Sequence, residues 1–98
     1  MSSKRPPDFL VHDRVDSVGV VVVEGVQASQ ELTGWIMESD ETIVLHTRDP
    51  IPLGHKLALR DIPQGADVIK YGHDMGRAVA DIAKGAHAHV HNVKTKKW

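Results

Sequence analysis

A glycine turn that occurs three times is the feature that most restricts how this chain can fold. Residues 51–54, 62–65 and 82–85 share the form Ile-x-x-Gly, and each leads into a short run with apolar residues. Glycine in the fourth place permits the positive φ of a tight turn, and proline in the second place of the first two copies fixes φ. Residues 25–31 are interpreted as a degraded fourth copy. Turns this closely spaced leave room only for short strands.

The strand pattern agrees with these turns. The β-branched run Val18–Val23 predicts a buried strand, and Leu32–Met37 and Thr42–His46 predict a hairpin around the polar turn 38–41. A helix over 75–83 is disfavoured because Gly76 lies in its first turn. Further short strands are expected at Phe9–Val11, Lys56–Leu59, Val68–Tyr71, Gly76–Ala80 and His87–His91. The chain is therefore predicted to be an all-β domain folded over on itself rather than a regular sandwich.

Length and charge limit the function. The 98 residues suffice for one domain, and the 12 basic against 13 acidic residues argue against a nucleic-acid or membrane partner bound through bulk charge. The absence of cysteine excludes disulfides and thiolate metal sites. The start has no apolar core of a signal peptide and no apolar run is long enough to span a membrane, so we expect a cytoplasmic protein.

Three parts of the chain differ in character. Residues 1–8 contain two serines and two prolines without an apolar period, which predicts a disordered lead. Residues 9–93 carry the strands and turns and form the predicted domain. Residues 94–98 are basic and end in a tryptophan; they are interpreted as a docking segment for a partner or as a frayed end.

Histidine is the residue type that points to chemistry. Three of the seven histidines, His87, His89 and His91, alternate along one predicted strand and would share one face. Neighbouring members would lie about 7 Å apart and could share a metal ion, whereas His87 and His91 would be about 13 Å apart. One metal on all three is therefore not expected. A polar strand facing solvent or another subunit remains the alternative.

Several motifs together resemble one family. Gly54-His55-Lys56, Lys70-Tyr71-Gly72 and His87-x-His-x-His-Asn92 follow one another in the order found in the SAF-type β-clip domain of the altronate and galactarate dehydratase family. The resemblance covers nearly the whole chain from Phe9. The two ends of the chain are most similar to the free-standing alpha subunits of (2R)-sulfolactate sulfo-lyases within this family.

This resemblance implies a β-clip fold and a role in β-elimination from a 2-hydroxy acid. The implied reaction converts (2R)-3-sulfolactate to pyruvate and sulfite, with Fe²⁺ held by a large catalytic subunit of different sequence. The small subunit would complete the site for a small anionic hydroxy acid and would be inactive alone. An altronate-type sugar-acid dehydratase subunit and a non-catalytic module that binds small anions remain the alternatives, and self-association stays open.

The candidate site residues follow from their chemistry and from the motifs. Acid–base roles are predicted for His55, His89 and His91, and a weaker metal site for His87 with His89. A carboxylate or sulfonate requires cations. The candidates for this role are Lys56, Arg60, Lys70 and Arg77. A solvated surface charge is the alternative for each of these four.

Overall fold

A computed structural model describes residues 6–70, 73–89 and 91–95, and these residues form nine short strands. The strands are β1 (Phe9–Val11), β2 (Val18–Val21), β3 (Glu31–Ile36), β4 (Glu41–His46), β5 (Lys56–Ala58), β6 (Asp67–Lys70), β7 (His73–Ala78), β8 (His87–Ala88) and β9 (Val93–Thr95). The all-β prediction is confirmed. In the described ranges no helix is long and apolar enough to cross a membrane.

The strands make two sheets. The larger has the order β4-β3-β1-β2-β5-β8, and the smaller has the order β6-β7-β9. The predicted hairpin is confirmed, since β3 and β4 pair in register from Glu31 opposite His46 to Ile36 opposite Glu41. β1 lies parallel to β3, and all other pairs are antiparallel. The short strands thus fold the chain back on itself repeatedly.

The repeated turn occurs four times, and its copies pair. The three glycines Gly54, Gly65 and Gly85 have φ between 86° and 88°. The degraded copy is 26–29, in which Ser29 takes the positive φ of 59°. The first residues of the copies form two isolated antiparallel bridges, Val26 with Ile51 and Ile62 with Ile82. Each bridge therefore joins two turns.

Each bridge belongs to its own hydrophobic core. The first core holds Val26 and Ile51 and includes the fully buried Phe9, whereas the second holds Ile62 and Ile82. Phe9 lies over Gly34, where a β-carbon would come within 2.2 Å of the ring. The domain is therefore built of two packed halves, with β5 contributing Leu57 to the first core and Ala58 to the second.

One strand prediction differs from the structure near the chain's end. The predicted strand over 87–91 ends at Ala88, and His91 and Asn92 form a turn instead. The prediction was wrong beyond Ala88 because it relied on the alternation of the histidines, which carries no signal of the turn that the side chain of Asn92 stabilises. After the turn, Lys94 and Thr95 belong to β9, which pairs with β7. The predicted strand end at Tyr71 and the tail residues 96–98 lie outside the described residues.

Candidate functional site

The pairing of β5 with β8 brings distant histidines together. Lys56 lies opposite Ala88 and Leu57 opposite His87 in this antiparallel ladder. One step further along the same register, His55 faces His89, and cross-strand neighbours on one face are in contact. Their rings stack with centroids 3.9 Å apart and an interplanar angle of 18°.

His87 joins this pair by a direct hydrogen bond. Nδ1 of His55 and Nε2 of His87 are 2.8 Å apart, so one imidazole donates to the other. The backbone N–H of His87 donates to Oδ2 of Asp49 at 2.9 Å, which places a carboxylate beside the ring pair. Asp49 therefore holds the backbone of His87, while the ring of His87 is hydrogen-bonded to the ring of His55.

Asn92 folds the following residues back toward His87. Its Oδ1 accepts from the N–H of His89 at 2.9 Å, and its Nδ2 donates to the carbonyl of His87 at 2.8 Å. As a result, the rings of His87 and His91 are 5.1 Å apart, tilted by 41°. In an extended strand these two side chains would lie far apart. The strand ends at Ala88, and their rings are neighbours instead. We call His55, His87, His89 and His91 the histidine cluster.

Two members of the cluster, His87 and His89, have a lowered pKa. Burial lowers the pKa of His87 and the charges of His91, His55 and His89 lower it further, while Asp49 acts in the opposite direction. Desolvation is also the largest cause that lowers the pKa of His89, followed by the charges of His55, Lys56 and His91. Near pH 7 these two imidazoles are neutral, and each keeps a lone pair that can accept a proton or a metal ion.

Three members of the cluster have metal-ligand spacing. One ring nitrogen from each of His55, His87 and His89 lies within 4.8 Å of the other two. The predicted pair His87 and His89 is part of this group. Sequence reasoning missed His55 as a potential ligand, because its position beside them depends on the β5–β8 register. The signal available in the sequence was the Gly54-His55-Lys56 motif directly after a turn.

The predicted cations separate into different places. Lys56 lies beside the cluster and, with His89, lines an otherwise apolar cavity of about 80 Å³. Arg60 donates to the backbone carbonyl of Asp16. Lys70 and Arg77 belong to β6 and β7 of the smaller sheet. Of the four candidates, the structure groups Lys56 with the cluster, and the substrate-binding role of all four stays a prediction.

Comparison with known proteins now identifies the family. The family model of the altronate/galactarate dehydratase SAF domain matches residues 7–96. The chain belongs to this family. The family resemblance expected from Gly54-His55-Lys56 and from the histidine run is confirmed.

Individual relatives of this SAF domain carry two kinds of name. This chain is 59% identical to the (2R)-sulfolactate sulfo-lyase subunit alpha of Chromohalobacter salexigens over 91 residues, which are 93% of this chain and 97% of that protein. The subunit alpha of Paracoccus pantotrophus is 48% identical over 54 residues, which are 55% of this chain and 81% of that protein. The altronate dehydratase of Escherichia coli is 40% identical over 83% of this chain, which corresponds to only 15% of that enzyme.

Proposed function

We propose that this chain is the small subunit of a lyase that cleaves (2R)-3-sulfolactate to pyruvate and sulfite. The observation that carries the proposal is its 59% identity to a sulfolactate sulfo-lyase subunit alpha along almost the whole length of both chains. The designation of that relative as a subunit supports action together with a second, larger chain. The reacting centre would then be completed where the two chains meet.

The proposed reaction is a β-elimination. A base removes the proton at C2, the electron pair of that bond forms the C2–C3 double bond, and the C3–S bond breaks with its electrons leaving on sulfite. The resulting enol takes a proton at C3 to become pyruvate. The C2 proton lies beside a carboxylate and is weakly acidic, so the developing enediolate needs a cation. The proposal places this cation, Fe²⁺, on the large subunit.

The histidine cluster is the part of this chain suited to the reaction. His55, His89 and His91 are the proposed proton carriers, and the 2.8 Å bond between His55 and His87 provides a path for a proton between two rings. Lys56 beside His89 is the proposed contact for the carboxylate or sulfonate. The small subunit would supply these groups and exclude water when it covers the partner's site.

The decisive experiment is a lyase assay with parallel substrates. The chain, alone and mixed with its candidate large subunit and Fe²⁺ under reducing conditions, is given (2R)-sulfolactate and altronate, and 2-keto acid and sulfite are followed. We expect sulfite and pyruvate only from the mixture. Keto acid from altronate without sulfite would assign the chain to a sugar-acid dehydratase, a function favoured by the altronate dehydratase relative. A failure of the two chains to form a complex would favour a module that binds small anions.

A single substitution tests the cluster within that assay. His89→Ala should lower kcat of the reconstituted complex by about 100-fold, the usual contribution of an acid–base group, while subunit assembly is unchanged. The matched control is His46→Ala, because His46 is an exposed histidine of β4 outside the cluster. If His89→Ala turned over substrate as fast as the control, the cluster would have no part in the elimination.

A further inference from the structure

We propose that His55, His87 and His89 form a binding site for one divalent transition-metal ion within this chain. The site is distinct from the Fe²⁺ proposed for the large subunit, and it does not depend on the lyase assignment. Its basis is the convergence of three imidazoles at the paired strands β5 and β8, with His87 in β8, His55 directly before β5 and His89 directly after β8. One potential ligand atom from each lies within 4.8 Å of the others.

The distances require only small movements. Tetrahedral coordination with metal–nitrogen bonds of about 2.1 Å separates ligand nitrogens by about 3.4 Å. Nδ1 of His55 and Nε2 of His87 are 2.8 Å apart, slightly closer than this. His55 and His89 are stacked at 3.9 Å, so one ring must turn before both lone pairs point to one ion. Rotation of a histidine ring about χ2 has broad energy minima, so this ring rotation causes little strain.

The backbone of each ligand residue is already fixed. The N–H of His55 donates to the carbonyl of Pro52 at 3.0 Å, within the turn of Gly54. The N–H groups of His87 and His89 donate to the side chains of Asp49 and Asn92, both at 2.9 Å. Metal binding would therefore reorient side chains on a preformed frame, which reduces the ordering that binding requires.

The ligand set selects the class of metal. Three imidazoles suit Zn²⁺, Co²⁺, Ni²⁺, Cu²⁺ or Fe²⁺, whereas Mg²⁺ and Ca²⁺ prefer oxygen ligands. Three protein ligands leave a fourth position for water or a substrate oxygen. Asp49 places a negative charge beside His87 and offsets part of the charge of the ion. With the metal bound, His55 and His89 serve as ligands rather than proton carriers, and His91 is the cluster member that keeps an acid–base role.

Titration of the full 98-residue chain, purified without an affinity tag and treated with a chelator, tests the site. Co²⁺ is followed by its visible absorption and Zn²⁺ by calorimetry. We expect one ion per chain with a Kd of about 1 μM or lower. His55→Ala, His87→Ala and His89→Ala should each weaken binding by about 100-fold or more. His91→Ala and His46→Ala should bind as the wild type does, and an excess of Mg²⁺ should not compete.

Ring resonances of the wild-type chain give a second measurement that does not depend on the folding of any variant. Addition of Zn²⁺ should shift the imidazole signals of His55, His87 and His89 and leave those of His12 and His46 in place. The proposal is overturned by the absence of saturable binding in the wild type. It is equally overturned if the shifts fall on His12 or His46, or if a folded His55→Ala chain binds Zn²⁺ with unchanged affinity.

Discussion

Replacing Gly85 by alanine should damage the fold and the histidine cluster together. Gly85 is the buried glycine of the turn at 82–85, and it stands two residues before His87. Its N–H donates to the carbonyl of Ala58, and its carbonyl accepts from the N–H of Arg48, both at 2.8 Å. A β-carbon at this position would lie 2.2 Å from the carbonyl oxygen of His46. That oxygen belongs to the backbone of β4 and cannot swing away as a side-chain end would.

The repeat supplies a matched control for the magnitude. Gly65 has φ of 88° against 87° for Gly85, but a β-carbon there would meet nothing within 4 Å. Gly65→Ala should therefore lower the free energy of unfolding only by the cost of positive φ, about 1 to 2 kcal/mol. Gly85→Ala carries the same cost plus overpacking of about 1 to 3 kcal/mol, or about 2 to 5 kcal/mol in total. The difference between the variants isolates the contact with His46.

Urea unfolding followed by circular dichroism measures this difference. With an m-value of about 1.5 kcal/mol/M, a difference of 2 kcal/mol corresponds to a midpoint about 1.3 M lower for Gly85→Ala than for Gly65→Ala. Gly85→Ala should also weaken Zn²⁺ binding, because His87 would shift against His55. Midpoints of the two variants that agree within error would refute the reasoning and show that the backbone around residue 85 relaxes without cost.

Two further predictions concern the core and the dependence on pH. Gly34→Ala should lower the free energy of unfolding by about 3 kcal/mol, because the new methyl group would overlap the buried ring of Phe9; a thermal melt with no loss of Tm would contradict the contact. In the metal-free chain the folded pKa of His87 and of His89 lies below the usual 6.5, so the unfolded state takes up protons first and stability should fall as the pH drops below about 6.5. Urea midpoints at about pH 7.5 and 5.5 test this. The decrease in midpoint between the two pH values should be smaller in His87→Gln than in the wild type. Equal decreases would show that His87 does not contribute to the pH dependence of stability.

The local parts of the fold could be predicted from the sequence. Positive φ at Gly54, Gly65 and Gly85 follows from the Ile-x-x-Gly pattern, and the hairpin of β3 and β4 follows from two apolar runs around a short polar turn. The parallel pairing of β1 with β3 could not be predicted, because it joins strands separated by β2 and the turn at 26–29. Pairing between distant strands depends on how the two cores pack, and no local pattern encodes it.

The candidate site was predictable in its residue type but not in its geometry. The alternation of His87, His89 and His91 indicated a functional face, yet the extended strand it suggested ends at Ala88. The contact with His55 joins residues more than thirty positions apart and depends on a ladder of two register pairs. The side chain of Asn92, which turns His91 back toward His87, is one polar residue without a periodic signal.

The position of the histidine cluster follows from the strand that comes after each repeated turn and from how those strands pair. The turn at 51–54 leads into β5 and the turn at 82–85 leads into β8. These two strands pair, so residues just after Gly54 and Gly85 meet. The turn at 26–29 leads into β3, which pairs instead with β1 and β4, and the turn at 62–65 leads into β6, which pairs with β7. His55 directly follows the turn at 51–54, and His87 comes two residues after the turn at 82–85. The turns at 26–29 and 62–65 are followed instead by Gln30-Glu31 and Ala66-Asp67. The same turn thus serves as a structural element at four places, and the histidine cluster forms at the pair of copies whose following strands, β5 and β8, are neighbours.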